Sequence, residues 1–253
     1  MTQSDDKLLY KRFTELAMKS SEQGYFVFTD FLGLSEQSIL SQALASCGRV
    51  AYTAFGGADG CERIMVRFGD EEALGYSEPF PISIIKAEPK AAKFADKLTH
   101  RDFLGSIMNL GIERSCIGDI VIRDNVGYIF AKEDMAEYIA GSLERIKHTD
   151  MRTSIIDEPP EGELFRTETV KIQLSGERID AVISKVFSVS REESAALFRR
   201  ELVFVGGRIC GSSSYTPRVG DKISVRGFGR IIYRGATGLS KKGKINVEIE
   251  KYV

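Results

Sequence analysis

The 253-residue chain reads as an α+β protein of more than one folding unit. Three observations carry that expectation. Segments of helical period and of strand period share the chain. Between residues 79 and 157 their order is β-α-β-β-α-β. The charge balance reverses near residue 164: residues 1–164 hold 18 Lys and Arg against 27 Asp and Glu, a net of −9, whereas residues 165–253 hold 17 against 9, a net of +8. A formal total of −1 thus conceals an acidic body joined to a basic module, and a basic face concentrates polyanions where an acidic one repels them.

Taken in order, residues 5–20 place Leu8, Leu9, Phe13, Leu16 and Ala17 at helical spacing, with acids at the start and Lys19 near the end. A second helix is expected from Ser35, as N-cap, to Ser46, with Gly48 just past its end. Arg49–Phe55 and Glu62–Phe68 read as strands joined by the glycine-rich turn of residues 56–60. A phosphate loop would need a helix after those glycines, and the alternation from Cys61 to Val66 predicts a strand instead. These elements form an expected N-terminal α/β domain, residues 1–78.

Residues 79–157 follow as a strand at Ile82–Ile85, a helix at Thr99–Leu110 ended by Gly111, and strands Gly118–Arg123 and Val126–Ala131 around Asp124-Asn125. A helix from Lys132 to Ile146 and an extended stretch from Thr149 to Ile156 complete them. This split-βαβ order includes the RNA-recognition-motif architecture, in which aromatics on the sheet face stack on bases. Tyr128 and Phe130, two apart on one strand, share a face and are candidates for that role, although aromatics at period two also suit a packed core. His100 and Arg101, at the start of a helix, are further candidate RNA contacts. His148 reads as an exposed polar residue. Residues 158–165, acidic and proline-containing, read as a linker.

Residues 166–253 open with an alternating strand at Arg166–Leu174, then a short amphipathic helix from Gly176. Ser190 and Glu193 have capping-box spacing at the start of a second helix that carries Arg191, Arg199 and Arg200. Val203–Val205, Gly206-Gly207 and Arg208–Cys210 read as a hairpin, and Lys222–Arg226 and Phe228–Tyr233 as strands.

The run RIDAVISKVFSVSREESAALFRRELVFVGGRI, continued by VGDKISVRGFGR, resembles the alpha-L RNA-binding motif of ribosomal protein S-four. Two positions depart from it: Glu201 stands where the motif usually has glycine, and Gly206 where it usually has asparagine. The resemblance implies RNA contact by Arg178, Ser190, Arg191, Arg199, Arg200 and Arg208, with Arg226 and Arg230 on the rim. Arginine's planar fork suits phosphate and stacks on unpaired bases. Further upstream, the runs His100–Gly105, Leu110–Ile112 and Gly118–Ile120 resemble the middle region of the bacterial YlmH family, and the order of domains is similar throughout. That resemblance implies structured RNA as partner, ribosomal RNA and tRNA of the large ribosomal subunit, in ribosome-associated quality control.

Composition and motifs also exclude. With 43% hydrophobic and 28% charged residues the chain is not compositionally disordered, and no apolar run approaches the roughly 20 residues of a membrane helix. The polar N-terminus lacks the apolar core of a secretory signal, and Cys47, Cys61, Cys116 and Cys210 form no C-x-x-C pair, so a cytoplasmic protein with reduced thiols is expected. No dinucleotide loop, metal set or catalytic constellation stands out, so neither cofactor nor enzyme activity is expected. An RNA-modifying enzyme with an unrecognised site and a cell-division scaffold remain the alternatives.

Overall fold

The computed structural model describes all residues except Met1, Thr2, Arg49, Glu161, Glu163, Arg166, Gly207 and Val253. The expected strand starts at Arg49 and Arg166, parts of the linker and the Gly207 half of the glycine turn lie outside the described residues. The chain is α+β and forms two compact units, Met1–Leu164 and Phe165–Val253.

The first unit opens with helix α1 (Gln3–Gln23), strand β1 (Val27–Phe28), helix α2 (Leu34–Ser46), strands β2 (Tyr52–Phe55) and β3 (Met65–Phe68) and the short helix α3 (Glu71–Leu74). Phe13 and Ala17 of α1 pack on Leu40 and Ala43 of α2 and on Val66 and Phe68 of β3. Helix α2 starts one residue before Ser35 and is capped differently: Gly33 is the N-cap, and its N–H donates to Glu36 Oε2 at 2.6 Å. The hairpin forms in the register Tyr52↔Phe68 and Phe55↔Met65, but its second strand begins three residues later than Glu62. The cause lies across the unit. The N–H groups of Glu62 and Arg63 donate to the carboxylate of Asp119, so they cannot serve a ladder with β2.

Strand β4 (Ile82–Pro89), helix α4 (His100–Met108), strands β5 (Ile117–Arg123) and β6 (Val126–Lys132), helix α5 (Glu133–Ser142) and strands β7 (Arg145–Ile146) and β8 (Thr149–Ile156) follow. They make a five-stranded antiparallel sheet in the order β5-β6-β4-β8-β7. The first four strands in that order are those of the split-βαβ fold, and β7 is an added edge. Phe103, Ile107, Ala136 and Ile139 of α4 and α5 pack on Ile85, Ala87, Ile129 and Ala131 of one sheet face. Helix α5 is shorter than the Lys132–Ile146 expected, because buried Ile146 belongs to β7 and the chain turns back through Lys147, φ 53°, into β8. Asp124 and Asn125, φ 48° and 66°, are the two left-handed residues of the tight β5–β6 turn.

The second unit holds strand β9 (Thr167–Leu174), helices α6 (Ile179–Val186) and α7 (Arg191–Arg199), and strands β10 (Val203–Val205), β11 (Arg208–Ile209), β12 (Lys222–Val225), β13 (Gly229–Leu239) and β14 (Ile245–Tyr252). Their six-stranded sheet has the order β11-β10-β12-β13-β14-β9. Val182, Ile183, Leu197 and Phe198 of the two helices cover Val203, Ile223, Val225, Ile231 and Val247. Helix α6 begins three residues later than Gly176, with Arg178 as its N-cap. Among the described residues no helix is long and apolar enough to cross a membrane.

Candidate nucleic-acid interface

In the second unit, the Ser190 hydroxyl accepts from Glu193 N–H at 3.1 Å and starts α7, while Ser194 Oγ donates to Asp180 O at 3.0 Å and ties that first turn to α6. The two helix starts are thereby brought together. Arg178 and Arg191 line one open cleft of about 360 Å³ with Ser175, Gly176, Asp180 and Ala181. Arg178 donates through Nε (3.1 Å) and Nη2 (2.7 Å) to Asp180, which fixes the guanidinium plane, cancels its charge locally and leaves Nη1 for a ligand. Arg191 is exposed and makes no ion pair among the described residues, so it supplies the cleft's net positive charge. A tetrahedral oxyanion is the group that suits one oriented fork beside one uncompensated cation.

A second group gathers around the C-terminal end of α7. Arg199 is its last residue and Arg200 its C-cap, both exposed. The Arg226 N–H donates to Leu202 O at 2.9 Å, and the Arg226 guanidinium lies 5.1 Å from the Phe204 ring centre. Arg230 lies 4.9 Å over the Tyr252 ring on β14, and exposed Arg208 sits on edge strand β11. The structure therefore joins Arg178, Ser190 and Arg191 at one place and gathers Arg199, Arg200 and Arg226 near the end of α7, with Arg230 in register through Ser224 with Phe204 and Arg208 paired with Val205 at the sheet edge. The motif departures have a backbone meaning. Glu201 and Gly206 both have φ 55°, a left-handed conformation that glycine and asparagine tolerate and glutamate resists.

Lys241, Lys242 and Lys244 are cations that the motif comparison does not reach. They are exposed in the turn between β13 and β14. The pairing Ile245↔Leu174 brings the chain next to Lys244 beside the residue that precedes Ser175, which lines the Arg178–Arg191 cleft. A K-K-G-K run between two alternating segments is the signal that marks them.

In the first unit the sheet-face expectation needs correction. Tyr128 and Phe130 do share the face opposite α4 and α5, but Phe130 is 0% exposed. A Cβ placed on Gly57 would lie 2.4 Å from Phe130 Cδ1, which shows how closely the β2–β3 loop covers the ring. An aromatic with no open face cannot stack on a base in this conformation. Tyr128 is half-buried between Lys86 and Val121. The same covering contact is held by Arg63, whose side chain donates to Ile117 O (2.8 Å), Phe31 O (2.8 Å) and Arg114 O (3.2 Å). Burial, followed by the charge of Arg63, holds the neighbouring Arg114 guanidinium down to about 10.

His100 and Arg101 are exposed at the start of α4. Asp102 serves the helix start and β7–β8: it accepts from Thr99 N–H at 2.8 Å and pairs with Lys147 at 2.8 Å. Lys147 foremost, then Thr99, hold its carboxyl down to about 2. His148, exposed as expected, donates its N–H to Asp96 at 3.1 Å. Among the described residues no group of three or more His, Cys, Asp or Glu is placed to hold a metal ion.

Residues 77–158 match the family model described as "Putative RNA-binding domain in YlmH". Over 260 residues the chain is 30% identical to "Ribosome-associated protein quality control protein P2" of Bacillus subtilis (strain 168), covering 98% of this chain and 93% of the relative. The chain belongs to the YlmH family. A solved YlmH structure, "Cell division protein ylmH from Streptococcus pneumoniae", is 21% identical with a TM-score of 0.48, over 62% of this chain and 94% of that one. The family model covers β4 to β8, so in this YlmH-family chain the described RNA-binding domain is the five-stranded sheet with α4 and α5.

Proposed function

We propose that this protein is a non-enzymatic RNA-binding factor that docks on structured RNA of the large ribosomal subunit, ribosomal RNA and tRNA, in ribosome-associated quality control in the cytoplasm. On this reading residues 1–78 form the N-terminal domain, 79–157 the RRM-like domain, 158–165 the linker and 166–253 the S-four-type domain that supplies the main grip. The observation that carries it is the convergence of Arg178 and Arg191 on one open cleft, in the unit with a net charge of +8. Support comes from the near full-length relative, which is named for its ribosome association.

The mechanism is electrostatic capture followed by oriented contact. The basic unit raises the local concentration of phosphate and releases counterions on binding. Arg178, pre-oriented by Asp180, and Arg191 take a phosphate oxygen, while Arg199, Arg200 and Arg208 offer further charge and Arg226 and Arg230, each over an aromatic ring, complete the rim. The test is cosedimentation with purified large subunits. Wild type is expected to pellet with them and to release as salt rises, and Arg191→Glu with Arg200→Glu is expected to abolish pelleting. Unchanged pelleting of the double variant would refute this reading.

A further inference from the structure

Phe94 is 84% exposed, the most exposed of the large hydrophobic side chains among the described residues. It stands in the loop between β4 and α4, in the sequence KAAKFADKLTHR of residues 90–101. A lone exposed aromatic is unremarkable by itself, but three features set this one apart.

The loop is firmly braced. The Asn125 side chain accepts from Leu98 N–H at 2.8 Å and donates to Asp96 O at 2.8 Å, so the β5–β6 turn clamps the loop's end. Asp96 N–H donates to Thr149 Oγ1 at 2.9 Å, Asp96 Oδ2 accepts from His148 N–H at 3.1 Å, and Lys90 N–H donates to Asp150 O at 2.9 Å, which fixes the loop to β8 and its turn. A single helical turn, Ala92–Phe94, then presents the ring. The braced backbone thus keeps an apolar ring in water at a fixed place on the surface, an arrangement that lowers the ordering cost of binding an external partner.

The charge around the ring runs against its surroundings. Residues 90–101 carry Lys90, Lys93, Lys97 and Arg101 with Asp96 as the one acid, although residues 1–164 are net −9. Lys90, Lys97 and Arg101 are exposed and form no ion pair among the described residues, and Lys93 Nζ lies 5.8 Å from the Phe94 ring centre. The acids Asp102 and Asp150, beside the loop, are paired with Lys147 and Arg145. Finally, the usual platform of this sheet architecture is closed at Phe130, which the β2–β3 loop covers.

We propose that the first unit contacts RNA through this end of the sheet: Phe94 stacks on one unpaired base of a looped or single-stranded segment, and Lys90, Lys93, Lys97 and Arg101 hold the flanking phosphates. Aromatic stacking supplies sequence-tolerant affinity and the lysines supply the salt-dependent part. The inference rests on the RNA-docking reading above and relocates the first unit's share of the contact.

The test uses the full chain and an RNA hairpin carrying 2-aminopurine in its unpaired loop, titrated at several salt concentrations. Phe94→Ala, a surface change, is expected to weaken binding by about 10-fold with the salt slope unchanged, Phe94→Trp to restore it, and a blunt duplex of the same length to be insensitive to either. Lys93→Gln with Lys97→Gln is expected to lower the slope by about 1.4, two single-strand phosphate contacts. Wild-type affinity in Phe94→Ala overturns this inference alone when Arg191→Glu with Arg200→Glu still weakens binding. Failure of the wild-type chain to bind the hairpin while it still pellets with the large subunit overturns this inference alone, and failure to bind either overturns both.

Discussion

Replacing Arg63 with Ala tests whether one side chain holds the two cores of the first unit together. Arg63 donates to the carbonyls of Ile117, Phe31 and Arg114 at 2.8, 2.8 and 3.2 Å, and its loss leaves the Phe31 and Arg114 oxygens without this charged donor, while Ile117 O keeps the Arg114 guanidinium. A hydrogen bond to a charged group contributes about 1.5–3 kcal/mol, so three would give about 4.5–9 kcal/mol if additive. Water reaches the site once the side chain is gone, and removing Arg63 relieves Arg114 of a like charge, so the net cost settles near about 3 kcal/mol. For a unit of this size that lowers the melting temperature by about 6–12 °C. Calorimetry of the full chain with each transition assigned should show the fall in the first unit's transition, with the second unit's unchanged. A fall below about 2 °C, or one in the second unit's transition, would refute the reasoning.

Other consequences follow from single residues. Glu201→Gly should raise the second unit's melting temperature by about 4 °C, because φ 55° costs a non-glycine residue about 1 kcal/mol; differential scanning calorimetry reads the sign directly. The Asp102 carboxyl sits at about 2, below its ordinary 3.8, so its stabilising pairing is fully present above about pH 4 and lost as pH falls through 2. The stability gap between wild type and Asp102→Asn, followed by chemical denaturation, should therefore be constant from pH 7 to 5 and close below pH 4. Burial, then the charge of Asp119, pushes the Cys61 thiol up to about 12, so mass spectrometry after iodoacetamide treatment at pH 8 should find Cys61 unmodified under native conditions and modified in denaturant.

Local signals made the fold class and most elements readable. The strand and helix order at residues 82–156, the Ser190–Glu193 cap and the Asp124-Asn125 turn are short-range patterns, and short-range geometry decides them. The departures arise where a distant group intervenes. Glu62 and Arg63 leave the hairpin because Asp119 takes their N–H groups, and Ile146 leaves the helix pattern because β8 pairs with it. Strand β14 is not among the expected elements, although Ile245, Val247 and Ile249 alternate against Asn246, Glu248 and Glu250, because it lies beyond the S-four-like motif. For the interface, the motif resemblance marks the arginines individually, yet only the fold shows that Arg178 and Arg191 share a cleft and that Ile245, next to Lys244, pairs with Leu174 near it. The burial of Phe130 and the exposure of Phe94 are tertiary facts, since period-two aromatics look alike whether they face water or another layer.

Crosslinking of the protein to RNA in cells, with the crosslinked sites mapped on both partners, tests the docking account most directly. The account predicts crosslinks to large-subunit ribosomal RNA and to tRNA, carried by peptides containing Arg178, Arg191, Arg200 and Phe94 and lost at the first three positions in Arg191→Glu with Arg200→Glu. Crosslinks confined to messenger RNA, or no RNA recovered above an untagged control, would contradict it.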